Sequence, residues 1–164
     1  MNDDVKQEFL EDEEDTQKGR FLTFMIEEIS YGIEVMYVKE IIGIQPITEV
    51  PEIPEYVKGI VNLRGNIIPV MDVRLRFKKQ ALEYNDRTCI IVVEVQDMLV
   101  GLIVDRVSDV VLINDADIVS PPEFNNINNR YIKGIGKMAN DVKLILDCDK
   151  LLNDDDMEAL TKRI

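Results

Sequence analysis

Histidine is absent from this 164-residue chain, and that single gap closes off several chemistries. A Ser-His-Asp triad, a Cys-His dyad, a histidine metal ligand and a phosphoaccepting histidine all require the imidazole. Cysteine is scarce as well. Cys89 and Cys148 are the only two, each inside an apolar, strand-like run. They read as buried free thiols, as a reducing cytosol would keep them, although the sequence leaves their pairing open. No run of about 18 apolar residues occurs, so no membrane-spanning helix is expected. The acidic start, Met1 to Glu8, lacks the apolar stretch of a signal peptide. Basic residues are outnumbered: 19 Lys and Arg face 32 Asp and Glu, for a formal charge of −13. That balance argues against nucleic acid, whose phosphates demand clustered cations, and against docking on an anionic bilayer.

What is present suffices for one compact domain. With 46% apolar residues, a chain of this size buries roughly 68–70% of its unfolded surface without a metal or disulfide staple. Residues 1–19 carry eight acids against Lys6 and Lys18, with little to bury, and are expected to form a disordered acidic tail. From Arg20 onward the pattern is of strands. Phe21–Ile26 with Tyr31–Val35, Val57–Leu63 with Asn66–Val73, and Cys89–Val95 with Met98–Val104 each read as a hairpin. Several of these runs are continuously apolar, as strands buried on both faces are. Helix is expected only near Asp72–Lys79 and from about Asp154 to the end, where Met157, Leu160 and Ile164 share a face.

An internal repeat organises these strands. Tyr31-Gly32-Ile33-Glu34-Val35 and the following Val38 to Ile42 match Val100-Gly101-Leu102-Ile103-Val104 and Val107 to Val111, an offset of 69 residues. Pro51-Glu52-Ile53 echoes Pro122-Glu123-Phe124. Tyr56-Val57-Lys58-Gly59-Ile60 then echoes Tyr131-Ile132-Lys133-Gly134-Ile135, and Val70 to Val73 echoes Ile145 to Cys148, now at an offset of 75. An insertion near Asn125–Asn129 accounts for most of the difference. The chain divides into halves at about 20–83 and 87–152, each with some five strands and each able to curl into a small barrel sharing a core along the seam.

The search for chemistry is unproductive. Gly134-Ile135-Gly136-Lys137 lacks phosphate-loop spacing. Asp147, Asp149 and Asp154–Asp156 lack the glycine and terminal glutamate of a calcium loop. No carboxylate pair stands out among the 32 acids, so a carboxylate-dependent hydrolase is a distant alternative. No catalytic residue, metal site or cofactor is assigned. Recognition features are sharper. Arg64 stands alone at the tip of an apolar hairpin, and with Glu40 reads either as a surface ion pair or as a charged latch beside a groove. Val38 and Val107, like Ile41 and Val110, occupy equivalent places in the halves and read either as core or as lining of a shared groove. Ile53 and Phe124, each after Pro-Glu, are candidates for contact with a partner.

Tyr31 to Val35 with Val38 to Ile41, Lys58-Gly59-Ile60-Val61-Asn62-Leu63-Arg64-Gly65, Ile68 to Arg74, and Gly101 to Val111 together resemble the CheW family of bacterial chemotaxis coupling proteins, over residues 20–152. The resemblance implies an all-β fold of two interlocked five-stranded SH3-like barrels; the short helices expected from the residue pattern, including one at 153–164, add to it, the last lying at or beyond the edge of the resemblance. It implies a non-enzymatic adaptor that links chemoreceptor cytoplasmic tips to the regulatory domain of the histidine kinase CheA, in the cytoplasm at membrane-associated receptor arrays. CheA shares the barrel fold. No phosphotransfer or ATP-binding segment precedes these barrels, and only 12 residues follow Leu152, so a free-standing coupling protein is expected rather than the kinase or a CheV relative. Carried over by position, the resemblance puts Val38, Glu40, Arg64, Val107 and Val110 at the receptor groove. It puts Ile44, Ile67, Glu123 and Phe124 toward the kinase, with Gly59 and Gly65 serving backbone geometry. An adaptor for a chemosensory system that controls pili or gene expression is the runner-up.

Overall fold

The structure is a computed structural model and describes residues 17–121 and 130–152. The expected acidic tail up to residue 16, the insertion near Asn125–Asn129 and the helix expected from Asp154 lie outside the described residues. Eleven strands are described: β1 (Arg20–Ile26), β2 (Ile29–Glu34), β3 (Val38–Gly43), β4 (Val57–Leu63), β5 (Asn66–Asp72), β6 (Cys89–Val95), β7 (Met98–Val104), β8 (Arg106–Leu112), β9 (Ile118–Val119), β10 (Ile132–Met138) and β11 (Asp141–Leu146). Two short helices follow the last strand of each half: α1 (Val73–Arg76) and α2 (Cys148–Leu152).

The three hairpins expected from the sequence form where two-residue turns interrupt strand-like runs, and β10–β11 makes a fourth, with Met138 opposite Asp141. In β6–β7, Val95 pairs with Met98 across Gln96-Asp97, and both turn residues hold positive φ, 52° and 64°. That geometry follows the twist of the flanking strands. The strand assignments agree closely with the pattern of the sequence. The helix expected over Asp72–Lys79 is only the four residues of α1. Asp72 caps it, its carboxylate accepting from the Arg74 N–H at 2.9 Å, and the chain then turns at Lys78 with φ 61°. At the equivalent place Asp147 opens α2 and accepts from the Lys150 N–H at 3.1 Å. Its role is a helix cap, and α2 is an element that the sequence pattern did not announce.

The sheets show how the halves combine. One sheet has the order β8-β1-β2-β11-β10-β9, the other β3-β6-β7-β5-β4. The first hairpin of each half is inserted into the sheet of the other half, between its third and last strands. The halves therefore do not close separately, as the repeat taken alone suggests; they interlock. The register is the same in both. Gly32 lies opposite Ile145 where β2 runs parallel to β11, and Gly101 opposite Val70 where β7 runs parallel to β5. The Asp72 N–H donates to the Tyr56 carbonyl at 2.7 Å, and the Asp147 N–H to the Tyr131 carbonyl at 2.8 Å.

Interlocking explains the continuously apolar strands. On one face of the β6–β7 hairpin, Ile90, Val92 and Ile103 fill a barrel with Val61, Ile68 and Val70. On the other face, Ile91, Val93 and Leu102 meet Leu22, Phe24 and Ile33 of the β1–β2 hairpin in a central core. Phe21, Ile113 and Ile145 fill the second barrel. Each hairpin thus buries both faces, one inside a barrel and one between barrels. Leu151 and Leu152 of α2 and Cys148 close the central core, and both cysteines are free thiols.

Candidate partner-recognition surface

The β4–β5 hairpin ends in Arg64-Gly65 with Leu63 paired to Asn66. Both tip residues adopt positive φ, 52° for Arg64 and 88° for Gly65. Glycine accepts this at little cost, whereas Arg64 holds a conformation that side chains ordinarily avoid. The Gly65 N–H donates to the Asn62 side-chain carbonyl at 2.9 Å, which braces the turn. From this braced tip the Arg64 guanidinium donates to the Glu40 carboxylate. The arginine side chain remains 69% exposed and the glutamate 29%, so the cation is displayed while its anchor is sheltered.

The position of that pair in the sheet matters. Glu40 lies on β3 and Arg64 at the end of β4, the two opposite edges of the five-stranded sheet. An ion pair between the edges is possible only because the sheet curls closed. The segment between them joins the same seam, with Thr48 and Ile60 exchanging two backbone hydrogen bonds of 2.9 Å. Gly59 permits this approach. Its φ is 145°, and a Cβ there would stand 2.1 Å from the Thr48 carbonyl oxygen. The repeat does not reproduce the charged latch in the second barrel. By register, Ala139 stands where Arg64 does and Asp109 where Glu40 does. Asp109 instead accepts from the buried Thr23 hydroxyl at 2.8 Å. One barrel therefore carries a rim arginine and its repeat partner does not.

The other candidates divide. Val38 and Val107 are half-buried and both pack against the central core. Val110 is 51% exposed on β8, at an edge of the other sheet, and no hydrogen bond or ion pair among the described residues links it to Glu40 or Arg64. Ile44 is half-buried against the first barrel's interior, whereas Ile67, on β5, is 44% exposed. Ile53 packs against the central core from its loop. Glu123 and Phe124 lie outside the described residues.

One cluster that the sequence reading missed ties the two sheets together. Asp105, between β7 and β8, receives the Arg74 Nε and Nη2 at 2.7 Å each and the Glu27 N–H at 2.7 Å. Arg74 Nη1 also reaches Glu27 at 3.4 Å, and Lys79 holds the other Glu27 oxygen at 3.1 Å. The turn of one hairpin is thereby clamped to the opposite sheet. Burial pushes the Asp105 carboxyl upward, but the hydrogen bonds from Arg74 and Glu27 and the charges of Arg74 and Arg106 outweigh it and hold the group below the usual carboxylate range. Asp72 accepts from the Tyr84 hydroxyl at 2.8 Å; burial first, then this bond, raises the phenol. Arg74 was visible in the sequence beside Asp72. Its partners 31 and 47 residues away carried no local signal.

Among the described residues no group of three or more acids or thiols is placed to hold a metal, and no helix is long and apolar enough to cross a membrane. A family model for the CheW-like domain matches residues 20–156. The chain is 34% identical over 144 residues to the chemotaxis protein CheW of Klebsiella aerogenes, covering 87% of each protein. It is 35% identical over 135 residues to the chemotaxis protein CheW of Bacillus subtilis, covering 82% of this chain and 86% of the relative. The crystal structure of the scaffolding protein TtCheW from Thermoanaerobacter tengcongensis superposes with a TM-score of 0.78 at 34% identity, over 84% of this chain and 94% of that one.

Proposed function

The chain belongs to the CheW-like family, and from that premise we propose that it is a chemotaxis adaptor that joins chemoreceptor tips to the histidine kinase CheA and works by binding alone. The family match over residues 20–156 carries this reading. The exposed, braced Arg64 beside Glu40 supports a receptor-facing hot spot on the first barrel, since arginine is enriched at such positions and a pre-positioned side chain loses less entropy on binding. By the family resemblance, Val38 on β3 and Val107 and Val110 on β8 of the other sheet are assigned to the receptor groove as well. Ile67, apolar yet exposed, suits the kinase face together with Glu123 and Phe124. Ile44 contributes there by shaping the barrel beneath.

Coupling follows from bridging. An adaptor that grips a receptor hairpin with one surface and a kinase barrel with another passes on receptor state if its affinity differs between the kinase-on and kinase-off geometries. Such couplings are typically ~1–3 kcal/mol. Two similar barrels in one chain offer two similar edges, which favours extension into arrays at the membrane over a closed dimer. The test is capture of the kinase and receptors from cell lysate, followed by titration of purified protein against a soluble receptor fragment and the kinase regulatory domain. Saturable binding to both is expected, and binding to neither refutes the reading. Recovery of a regulator of pili or transcription in their place would favour another chemosensory system.

A further inference from the structure

The described strands change sheet twice along the chain. β1 and β2 lie in the six-stranded sheet, β3 to β7 in the five-stranded sheet, and β8 to β11 in the six-stranded sheet again. The first crossing is the turn Val35–Tyr37, which leads into β3, and the second is Asp105 alone, which leads into β8. Val38 and Glu40 belong to the strand after the first crossing, Val107 and Val110 to the strand after the second. The proposed receptor surface therefore draws on two sheets. Its shape depends on how the crossings hold β8 relative to β3.

The repeat makes the two crossings equivalent, yet they are held differently. At the second, Asp105 accepts both arms of the Arg74 guanidinium at 2.7 Å and the Glu27 N–H at 2.7 Å. Arg74 lies on α1, at the end of β5 in the five-stranded sheet, whereas Glu27 turns the β1–β2 hairpin of the six-stranded sheet. One carboxylate at the crossing thus bonds to both sheets. The Arg74 side chain is only 8% exposed, so water competes little for it, and its fork fixes direction as well as distance. At the first crossing, the offset of 69 residues puts Met36 in the place of Asp105 and Gln96 in that of Glu27. The offset of 75 puts Asp149 in the place of Arg74. Met36 is exposed, and Gln96 donates to Asp149 at 3.2 Å in a solvent-exposed bond. One crossing is clamped by charge and its equivalent is not.

We propose that Asp105 and Arg74 are positioning residues, which set β8 against the five-stranded sheet and so align Val107 and Val110 with Glu40 and Arg64. The inference deepens the receptor reading above and rests on it. Neither residue touches the receptor. The central core also holds the sheets together, but apolar contact is non-directional, whereas the fork admits one arrangement. A surface whose parts are aligned in advance loses less on binding than one that must be ordered.

The test uses the full chain and two clamp variants. Arg74→Lys keeps the charge and removes the fork. Asp105→Leu/Arg74→Met removes both charges and keeps apolar bulk, an exchange often neutral for stability. Gln96→Asn, whose new side chain tolerates the positive φ there, is the control at the other crossing. Spin labels at Lys39→Cys and Ser108→Cys, exposed and repeat-equivalent positions on β3 and β8, read the alignment as a distance in a Cys89→Ser background. Without the labels, each protein is titrated against a soluble receptor fragment, with melting in parallel. The parent and Gln96→Asn should give the same narrow distance and the same affinity. Folded clamp variants should give a shifted or broadened distance and bind the fragment about tenfold more weakly. A clamp variant with the parent's distance, or with an altered distance and unchanged affinity, overturns the positioning role. A Gln96→Asn protein as altered as the clamp variants overturns the asymmetry between crossings. Failure of the parent itself to bind the fragment is the separate result that refutes the receptor reading.

Discussion

Replacing Arg64 separates its structural role from its recognition role, because the two predict different magnitudes. The structural loss is small. The side chain is 69% exposed and its partner 29%, and a pair of that exposure contributes ~0–1 kcal/mol. The backbone φ of 52° is no easier for alanine, so Arg64→Ala gains nothing there. Arg64→Gly relieves about 1 kcal/mol of left-handed strain and should melt at or above Arg64→Ala. For a domain of this size about 1 kcal/mol moves the midpoint by ~2–4 °C, so both variants should stay within that of the parent. Receptor binding should fall further, by about 1–3 kcal/mol, roughly 5- to 150-fold. Affinity for the kinase regulatory domain should stay within about twofold if, as proposed, Ile67, Glu123 and Phe124 serve it from another face. Because Glu40 holds the guanidinium, Glu40→Ala should act in the same direction, and the double variant should cost less than the sum of the singles. Titration against a soluble receptor fragment and the kinase regulatory domain, with melting in parallel, reads all of this. Unchanged receptor affinity in well-folded Arg64→Ala would refute the hot spot and leave Arg64 a clasp of the barrel seam.

Three further expectations concern the frame that holds the surface. Gly59→Ala forces a Cβ to within 2.1 Å of the Thr48 carbonyl oxygen, so the seam must open at a cost of about 2–5 kcal/mol; a melting temperature equal to the parent's would show that the seam yields freely. The Asp105 carboxyl, held below its ordinary range by Arg74, adds stability above pH ~4 that is lost as the pH falls through the folded-state value. Asp105→Asn should therefore flatten the acid limb of the stability profile, and an unaltered acid limb would exclude the clamp as its source. Burial pushes the Cys148 thiol up to about 12, so a thiol reagent should modify the partly exposed Cys89 first and Cys148 only on unfolding; equal rates in the native protein would contradict the closed central core.

The sequence by itself determined the strands and their repeat. Val57–Leu63 and Cys89–Val95 end where their apolar runs end, because a buried β-strand requires an apolar run and its turn requires residues tolerant of positive φ, both of which are local demands. The same locality exposed Arg64 as a cation out of place, whereas Gly59 came into view only through the family resemblance. Tertiary structure decided everything that joins residues far apart in the chain. That the β1–β2 hairpin inserts between β8 and β11, rather than closing its own half, follows from the need to bury both of its faces, and only the assembled barrels satisfy that. Glu40 meets Arg64 because the sheet curls until its edges touch. Arg74 finds Asp105 and Glu27 across the junction because the halves interlock. A strand's own residues specify that it will be buried; which other strands bury it is set by the packing of the whole chain.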